Sequence, residues 1–122
     1  MSDLVFGLDT FGDVPTDDSG HPVSDARAIR LVLDEAVLAE ETGVDVLALG
    51  EHHRPEFAIS SPETVLAGIA TRTSRTRAIK TLGVGRFDLI YTTGAQPISA
   101  RLRTVELYGT KVLPMVRDIL AG

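Results

Sequence analysis

The sequence predicts an α/β fold built from three βα units with parallel strands. Three apolar runs each precede a longer segment whose apolar residues recur at helical spacing, which is a repeated βα pattern. The chain has 122 residues, of which 43% are hydrophobic, and this composition is typical of one small globular domain. A complete eight-fold βα barrel needs about 250 residues, so the length excludes one.

The first unit combines an apolar strand at residues 4–11, a polar loop at 12–24 and a helix that begins at Ser24 or Asp25. Either residue can cap the helix, and Gly43 is placed to end it. One apolar stripe at helical spacing predicts the buried face of this helix. The stripe consists of Ile29, Val32, Leu33, Ala36 and Val37.

The second unit begins with a strand at residues 44–50 that is apolar at almost every position, as expected for a parallel strand covered on both faces. Serines at 60 and 61 followed by Pro62 and Glu63 predict the start of its helix. The helical pattern ends over residues 71–80 without a clear capping residue, which suggests that two segments of the chain are joined there. The inner face of the helix is predicted to hold Val65, Leu66, Ile69, Ala70 and Thr73.

The third unit is a strand at residues 86–91 followed by a helix at 98–120. Pro114 removes one hydrogen bond within this helix, so we expect a kink there. Alternate residues of the strand are predicted to face one side of the sheet. They are Phe87, Leu89 and Tyr91.

Charge and composition exclude several classes of function. The net charge of −5 gives no general attraction for nucleic acids or anionic membranes, so neither is expected as a partner. The chain has no cysteine and no apolar stretch that approaches about 18 residues, and it lacks a secretion signal, so we expect a cytoplasmic protein. Residues 1–78 sum to −8 and residues 79–122 to +3, an asymmetry that favours packing of the two parts together.

The candidate site lies where the predicted strands end. Glu51, His52 and His53 directly follow the second strand, and Asp9 and Tyr91 lie at the ends of the other two. Active sites of βα folds form at these carboxyl ends, and imidazole exchanges protons near neutral pH. The alternative is that these residues only satisfy backbone and arginine donors at the edge of the sheet. A metal site is not expected, because adjacent residues of an extended chain point to opposite sides.

Four stretches of the chain carry a resemblance to a known family. They are residues 6–8 (FGL), 49–57 (LGEHHRPEF), 60–74 (SSPETVLAGIATRTS) and 83–117, which contains GVGRFDLIYTTG and ELYGTKVLPMVR. These stretches resemble the luciferase-like monooxygenases, which are (β/α)8-barrel oxidoreductases that use reduced flavin or a deazaflavin coenzyme. The resemblance implies that residues 1–122 form a single truncated domain, three βα units of a TIM-barrel type. Residues 1–77 are similar to the first two units of that barrel, and residues 78–122 to its last strand and helix.

The resemblance also implies a cofactor and roles for the site residues. FMN or a deazaflavin would be the cofactor, and His52 matches the position that the family uses beside the flavin ring, with Glu51 as its catalytic partner if the protein is active. From their positions at or after the strand ends, His53, Asp9 and Tyr91 are the candidates to line the cofactor site. The family grips the flavin phosphate largely with later barrel units, which this chain lacks. We therefore expect no bound flavin and no autonomous flavin-dependent activity. The alternatives are an active oxidoreductase that uses His52 on a small organic substrate in an oligomer, and a binding protein for a small apolar ligand.

Three parallel strands leave two open edges and one uncovered sheet face, so we expect a partner to complete the structure. A right-handed crossover would place the third strand beside the second, in the order 1-2-3. Two chains in a homodimer would then close a six-stranded parallel barrel in the order 1-2-3-1′-2′-3′. A full-length relative is the alternative partner.

Overall fold

The computed structural model describes residues 5–74, 86–92 and 94–121 of the chain. The three predicted βα units are all present. A π-helical turn, Tyr108–Val112, joins the last two helices. The strands and helices in chain order are β1 (Val5–Thr10), α1 (Asp25–Glu41), β2 (Val46–Leu49), α2 (Pro62–Ala70), β3 (Arg86–Ile90), α3 (Ile98–Leu107) and α4 (Leu113–Ala121).

The three strands form one parallel sheet in the order β2-β1-β3. Leu8 in the middle of β1 pairs with Leu47 on one side and with Leu89 on the other. The predicted order 1-2-3 is therefore wrong, because β3 lies beside β1 and not beside β2. The position of β3 agrees with the packing of the helix layer, where a buried ion pair holds α3 against α1.

The helices follow the order of the strands. Helix α1 packs against α2 on one side and against α3 on the other, so the three helices cover the sheet in the order α2-α1-α3. The apolar core lies between this layer and the sheet. It contains Phe6, Leu8, Val32, Ala36, Ala39, Val44, Leu47, Ile59, Val65, Ile69, Tyr91, Val105, Tyr108 and Leu113.

Helix α1 begins and ends as its sequence predicts, but its buried face is rotated. The Ser24 side chain accepts a hydrogen bond from the Arg27 backbone N–H, and Gly43 follows the helix with a φ of 87°, which glycine adopts without strain. Val32 and Ala36 are buried as predicted, whereas Ile29, Leu33 and Val37 are only half-buried. The face is rotated because α1 packs between two helices. Its buried residues are Ala28, Leu31, Val32, Glu35, Ala36 and Ala39.

The single helix predicted over residues 98–120 is divided by the π-helical turn into α3 and α4. A Cβ on Gly109 would lie 2.7 Å from the Thr42 backbone oxygen, so only glycine permits this approach to the end of α1. The π-helical turn ends immediately before Leu113 and Pro114, so the helix is irregular next to the position of the predicted kink, and the kink itself stays a prediction. No helix in the described part of the chain is long and apolar enough to cross a membrane.

Ion pairs join the acidic and basic parts of the chain. Arg117 on α4 contacts the Asp45 carboxylate at 3.0 Å, and the same carboxylate oxygen accepts a hydrogen bond from the Phe6 backbone N–H at 3.1 Å. The Arg117 guanidinium also lies over the Phe6 ring. This contact fixes α4 at the amino ends of β1 and β2. Most of the predicted join at residues 71–80, namely residues 75–80, lies outside the described residues.

Candidate functional site

Three loops are hydrogen-bonded to one another at the carboxyl ends of the strands. The Gly12 carbonyl in the loop after β1 accepts a hydrogen bond from the Ala58 N–H at 2.8 Å, which ties this loop to the loop after β2. Its Thr16 N–H donates to the Gln96 carbonyl at 3.0 Å, which ties it to the loop after β3. The loop after β1 is therefore the centre of this end of the molecule.

An aromatic cluster of Phe11, His52 and Phe57 lies at this end of the sheet. The His52 ring stacks on the Phe57 ring with centroids 4.8 Å apart, and the Phe11 ring meets it edge-on at 4.3 Å. A Cβ on Gly50 would overlap the Phe11 ring, so Gly50 permits the approach of Phe11 to the end of β2. The cluster fixes the orientation of the His52 imidazole, although the residue itself remains exposed.

Glu51 and His53 form a separate pair beside the cluster. The His53 Nε2 atom lies 2.8 Å from Glu51 Oε1, and the His53 side chain is 79% exposed. The two histidines thus have different surroundings, as adjacent residues of an extended segment do. A pair of this kind can relay a proton between imidazole and carboxylate at the surface. Within the described residues no group of three histidine or acidic side chains could hold a metal ion.

The other two predicted site residues lie on opposite faces of the sheet. Asp9 alternates along β1 with the buried Leu8 and Thr10, so it lies on the face opposite the helices, where it is half-buried. Tyr91 faces the helices, is buried and donates a hydrogen bond from its hydroxyl to Glu35 Oε2 at 2.6 Å. The structure therefore brings Glu51, His52 and His53 together and does not bring Tyr91 to them.

A buried ion pair that the sequence analysis missed lies beneath the loops. Glu35 on α1 is 0% exposed and Arg101 on α3 is 1% exposed. Arg101 Nη2 donates to Glu35 Oε2 at 3.0 Å, and Arg101 Nε lies 2.9 Å from Oε1. The remaining Arg101 nitrogen, Nη1, donates to the Asp13 carbonyl at 2.6 Å. The guanidinium therefore joins both helices to the loop after β1.

Burial changes the proton affinity of the groups in this cluster. Burial raises the pKa of Glu35, while the Arg101 charge and the hydrogen bond from Tyr91 act in the opposite direction. Burial also raises the pKa of Tyr91 well above its ordinary value, and the nearby Glu35 adds to the effect. Tyr91 is thus kept protonated, as a hydrogen-bond donor to Glu35.

The position of Glu35 in the sequence indicates that its carboxylate is buried. Glu35 follows Val32 by three residues and directly precedes Ala36, so it lies on the apolar stripe of α1. A carboxylate on such a stripe needs a charged partner in the core. The sequence does not show which residue is that partner, because Arg101 is 66 positions away.

Asp13 extends the cluster to the loop after β3. Its Oδ1 atom accepts a hydrogen bond from the Gly94 backbone N–H at 3.2 Å, and its backbone pairs with Phe57 as an isolated antiparallel bridge. The buried Arg101 therefore supports the loop that carries Phe11, and Phe11 in turn contacts His52. This chain of contacts connects the core to the exposed imidazole.

The chain was compared with known protein families and with curated proteins. The sequence profile of the family described as luciferase-like monooxygenase matches residues 10–85. That range covers β1 from its last residue, α1, β2, the Glu51-His52-His53 segment and α2. The comparison with curated proteins gave no significant match.

We expect Arg101→Met and Glu35→Leu each to lower the free energy of unfolding by about 3–5 kcal/mol, because each leaves a buried charge without its partner. The double variant should lose less than the sum, since it removes both charges. Urea unfolding at fixed protein concentration measures these losses. Arg72→Met is the control, because the Arg72–Asp34 pair is exposed and should contribute less than about 1 kcal/mol. Additive losses in the double variant would contradict a direct pair.

The aromatic cluster predicts an upfield shift of the His52 ring protons in the proton NMR spectrum, because the ring lies over the face of Phe57. Phe57→Leu should remove the shift, and Gly50→Ala should alter it by displacing Phe11. His21 and His53 serve as internal references, since both side chains are largely exposed. Identical shifts for all three histidines in the unmodified protein would show that the cluster does not persist.

Proposed function

The chain belongs to the luciferase-like monooxygenase family, and we propose that it is an internally truncated member that lacks flavin-dependent activity of its own. The family is generally dependent on flavin or deazaflavin, and its barrel supplies the cofactor site from several βα units. The observation that carries the proposal is the pairing of β3 with β1. In a closed βα barrel, the last strand pairs with the first in this way.

The positions of the helices support the same proposal. In the sheet, β2 lies on one side of β1 and β3 on the other, yet α1 and α2 pack side by side on one face. Two crossovers in opposite directions with their helices on the same face cannot both be right-handed, although nearly all such crossovers are. A barrel avoids the conflict because its chain runs round the whole ring. Removal of middle units would produce this arrangement, with residues 1–77 as the first two units and 78–122 as the last.

The free edges of the sheet favour a second copy of the chain as the partner. Within the described sheet, β2 and β3 each pair only with β1, so both outer edges offer unpaired backbone groups. A two-fold axis along the barrel would join β2 of one copy to β3 of the other. The resulting six-stranded homodimer has the order 3-1-2-3′-1′-2′. The order predicted from the sequence placed the β3–β1 contact between the two copies, whereas here it lies within each chain.

Three features of the site do not fit a bound flavin. The interior of a six-stranded barrel is filled by side chains and leaves little space for a ring system. One face of the His52 ring is covered by Phe57. Arg101, which lies beneath these loops, is buried against Glu35 and is not available for the flavin phosphate.

The second candidate function is an active oxidoreductase in an oligomer, with a small organic substrate at the mouth of the barrel. The oriented His52 and the Glu51–His53 pair favour it, because they lie at the carboxyl ends of the strands, where barrel enzymes carry their chemistry. In that case the His52 imidazole would be the group that accepts a proton from the substrate or donates one to it.

A fluorescence titration separates the two functions. We expect the purified protein to be colourless and to leave the fluorescence of FMN and of a deazaflavin unquenched at tens of micromolar. Saturable quenching that disappears in His52→Ala would contradict the proposal and support the active oxidoreductase. Quenching that His52→Ala leaves unchanged would show a flavin site elsewhere and would also contradict the proposal.

Light scattering after size exclusion tests the homodimer. The expected mass is close to twice 13.1 kDa, because one copy supplies three of the six strands. A stable monomer would exclude the closed dimer. A mass that grows with concentration beyond the dimer would show open edge-to-edge association, which also excludes a closed ring.

A further inference from the structure

Two short segments of the loops after β1 and β2 lie side by side as an antiparallel pair. Asp13 and Phe57 face each other in this pair. The Val14 N–H donates to the Glu56 carbonyl at 2.9 Å on one side of them, and the Gly12 carbonyl accepts its bond from the other loop on the opposite side. Because two backbone hydrogen bonds join the segments, each fixes the position of the other. We call this pair the loop ladder, which consists of residues 12–14 and 56–58.

The loop ladder carries both rings that hold the His52 imidazole. Phe57 belongs to the ladder, and its ring stacks on the imidazole. Phe11 directly precedes the ladder, and its ring meets the imidazole edge-on. The centroids of the two phenylalanine rings lie 6.3 Å apart, with the ring planes at 78°. The imidazole therefore lies in a corner whose two walls are attached to the same pair of backbone segments.

Arg101 joins the loop ladder to the helices. Its Nη1 atom donates to the Asp13 carbonyl, which lies in the middle of the ladder, at 2.6 Å. Its Nε and Nη2 atoms lie against the Glu35 carboxylate on α1. A guanidinium is planar and rigid, so the pairing with Glu35 also sets the direction in which Nη1 points. The two sides of one guanidinium thus have different partners, one in the core and one in the loops.

We infer that Arg101 is a positioning residue for His52 and acts through the loop ladder. An imidazole that transfers a proton needs a fixed orientation relative to its ligand. Such a group keeps its orientation when supporting hydrogen bonds lock the residues around it. Without the Nη1 bond, the ladder can shift relative to α3, and the two walls of the corner shift with it. The inference goes beyond the proposed function, because it depends neither on the homodimer nor on the binding of flavin.

A purely structural role is the alternative, in which Arg101 only holds α3 against α1. In that case, the orientation of His52 would follow the stability of the core, and any buried residue of α3 would matter as much as Arg101. The two roles differ in the atoms that they need. The structural role needs the Nε and Nη2 atoms beside Glu35, whereas the positioning role needs the Nη1 atom on the Asp13 carbonyl.

The variant Arg101→Lys separates the two roles. A lysine ammonium can stay beside Glu35, but the side chain ends about where the guanidinium carbon lies, so it does not reach the Asp13 carbonyl as Nη1 does. We expect the variant to remain folded, which circular dichroism checks, and to lose at least roughly half of the upfield shift of the His52 ring protons. Proton NMR at fixed pH measures the shift, with the two exposed histidines as references.

Val105→Ala is the matched control for a general loss of packing. Val105 lies one turn after Arg101 on α3 and is also buried. Its truncation leaves a cavity in the core but keeps the guanidinium and its Nη1 bond. We expect the urea midpoint of this variant to fall while the His52 shift stays at its value in the unmodified protein.

The double variant Glu35→Leu/Arg101→Met provides a second test, because it leaves no unpaired charge of this pair in the core. It also lacks the Nη1 bond, so we expect it to lose the His52 shift to the same extent as Arg101→Lys. A folded double variant that keeps the shift would overturn the inference, even if Arg101→Lys proved too unstable to measure.

The expected result is a shift that both Arg101 variants lower and that Val105→Ala preserves. A shift retained in Arg101→Lys would overturn the inference. So would an equal loss in Arg101→Lys and Val105→Ala, since the orientation of His52 would then follow core stability alone. None of these outcomes bears on flavin binding or on the mass in solution, so the proposed function is tested separately from this inference.

Discussion

The buried pair of Glu35 and Arg101 is the interaction on which the rest of the structure depends. An unpaired charge in the core would be costly, so the pair requires α3 to lie against α1. In the sheet, β3 likewise lies beside β1. The ion pair therefore links the packing of the helices to the order of the strands.

The same guanidinium connects the core to the surface that carries the candidate site. Arg101 holds the Asp13 carbonyl, Asp13 contacts the loops after β2 and β3, and the adjoining Phe11 orients His52. The site is thus supported by packing that does not depend on a cofactor. In the truncated family member that we propose, this packing would keep the His52 ring oriented without the middle units of the barrel.

A sheet of three parallel strands has a defined physical problem. Within the described residues, β2 and β3 each pair only with β1, so the sheet ends in two unpaired edges. The homodimer that we propose would pair each of these edges with a strand of the other copy and so satisfy their backbone groups. Arg101 and Arg117 pair with acidic residues of their own chain, so we expect backbone pairing rather than these two charges to hold the copies together.

The sequence by itself determined the local structure and the family. It specified the bounds of α1 between Ser24 and Gly43 and the start of α2 at Pro62. It also specified the shared face of Leu89 and Tyr91 and the position of Glu51, His52 and His53 after β2. These features depend on residues close together in the chain, whose spacing is visible. Only the tertiary structure decided the strand order, the burial of Glu35, the separation of Tyr91 from His52 and the stacking of His52 on Phe57. Each of these depends on contacts between distant segments, and a local pattern cannot specify which distant partner a charge or a ring will meet.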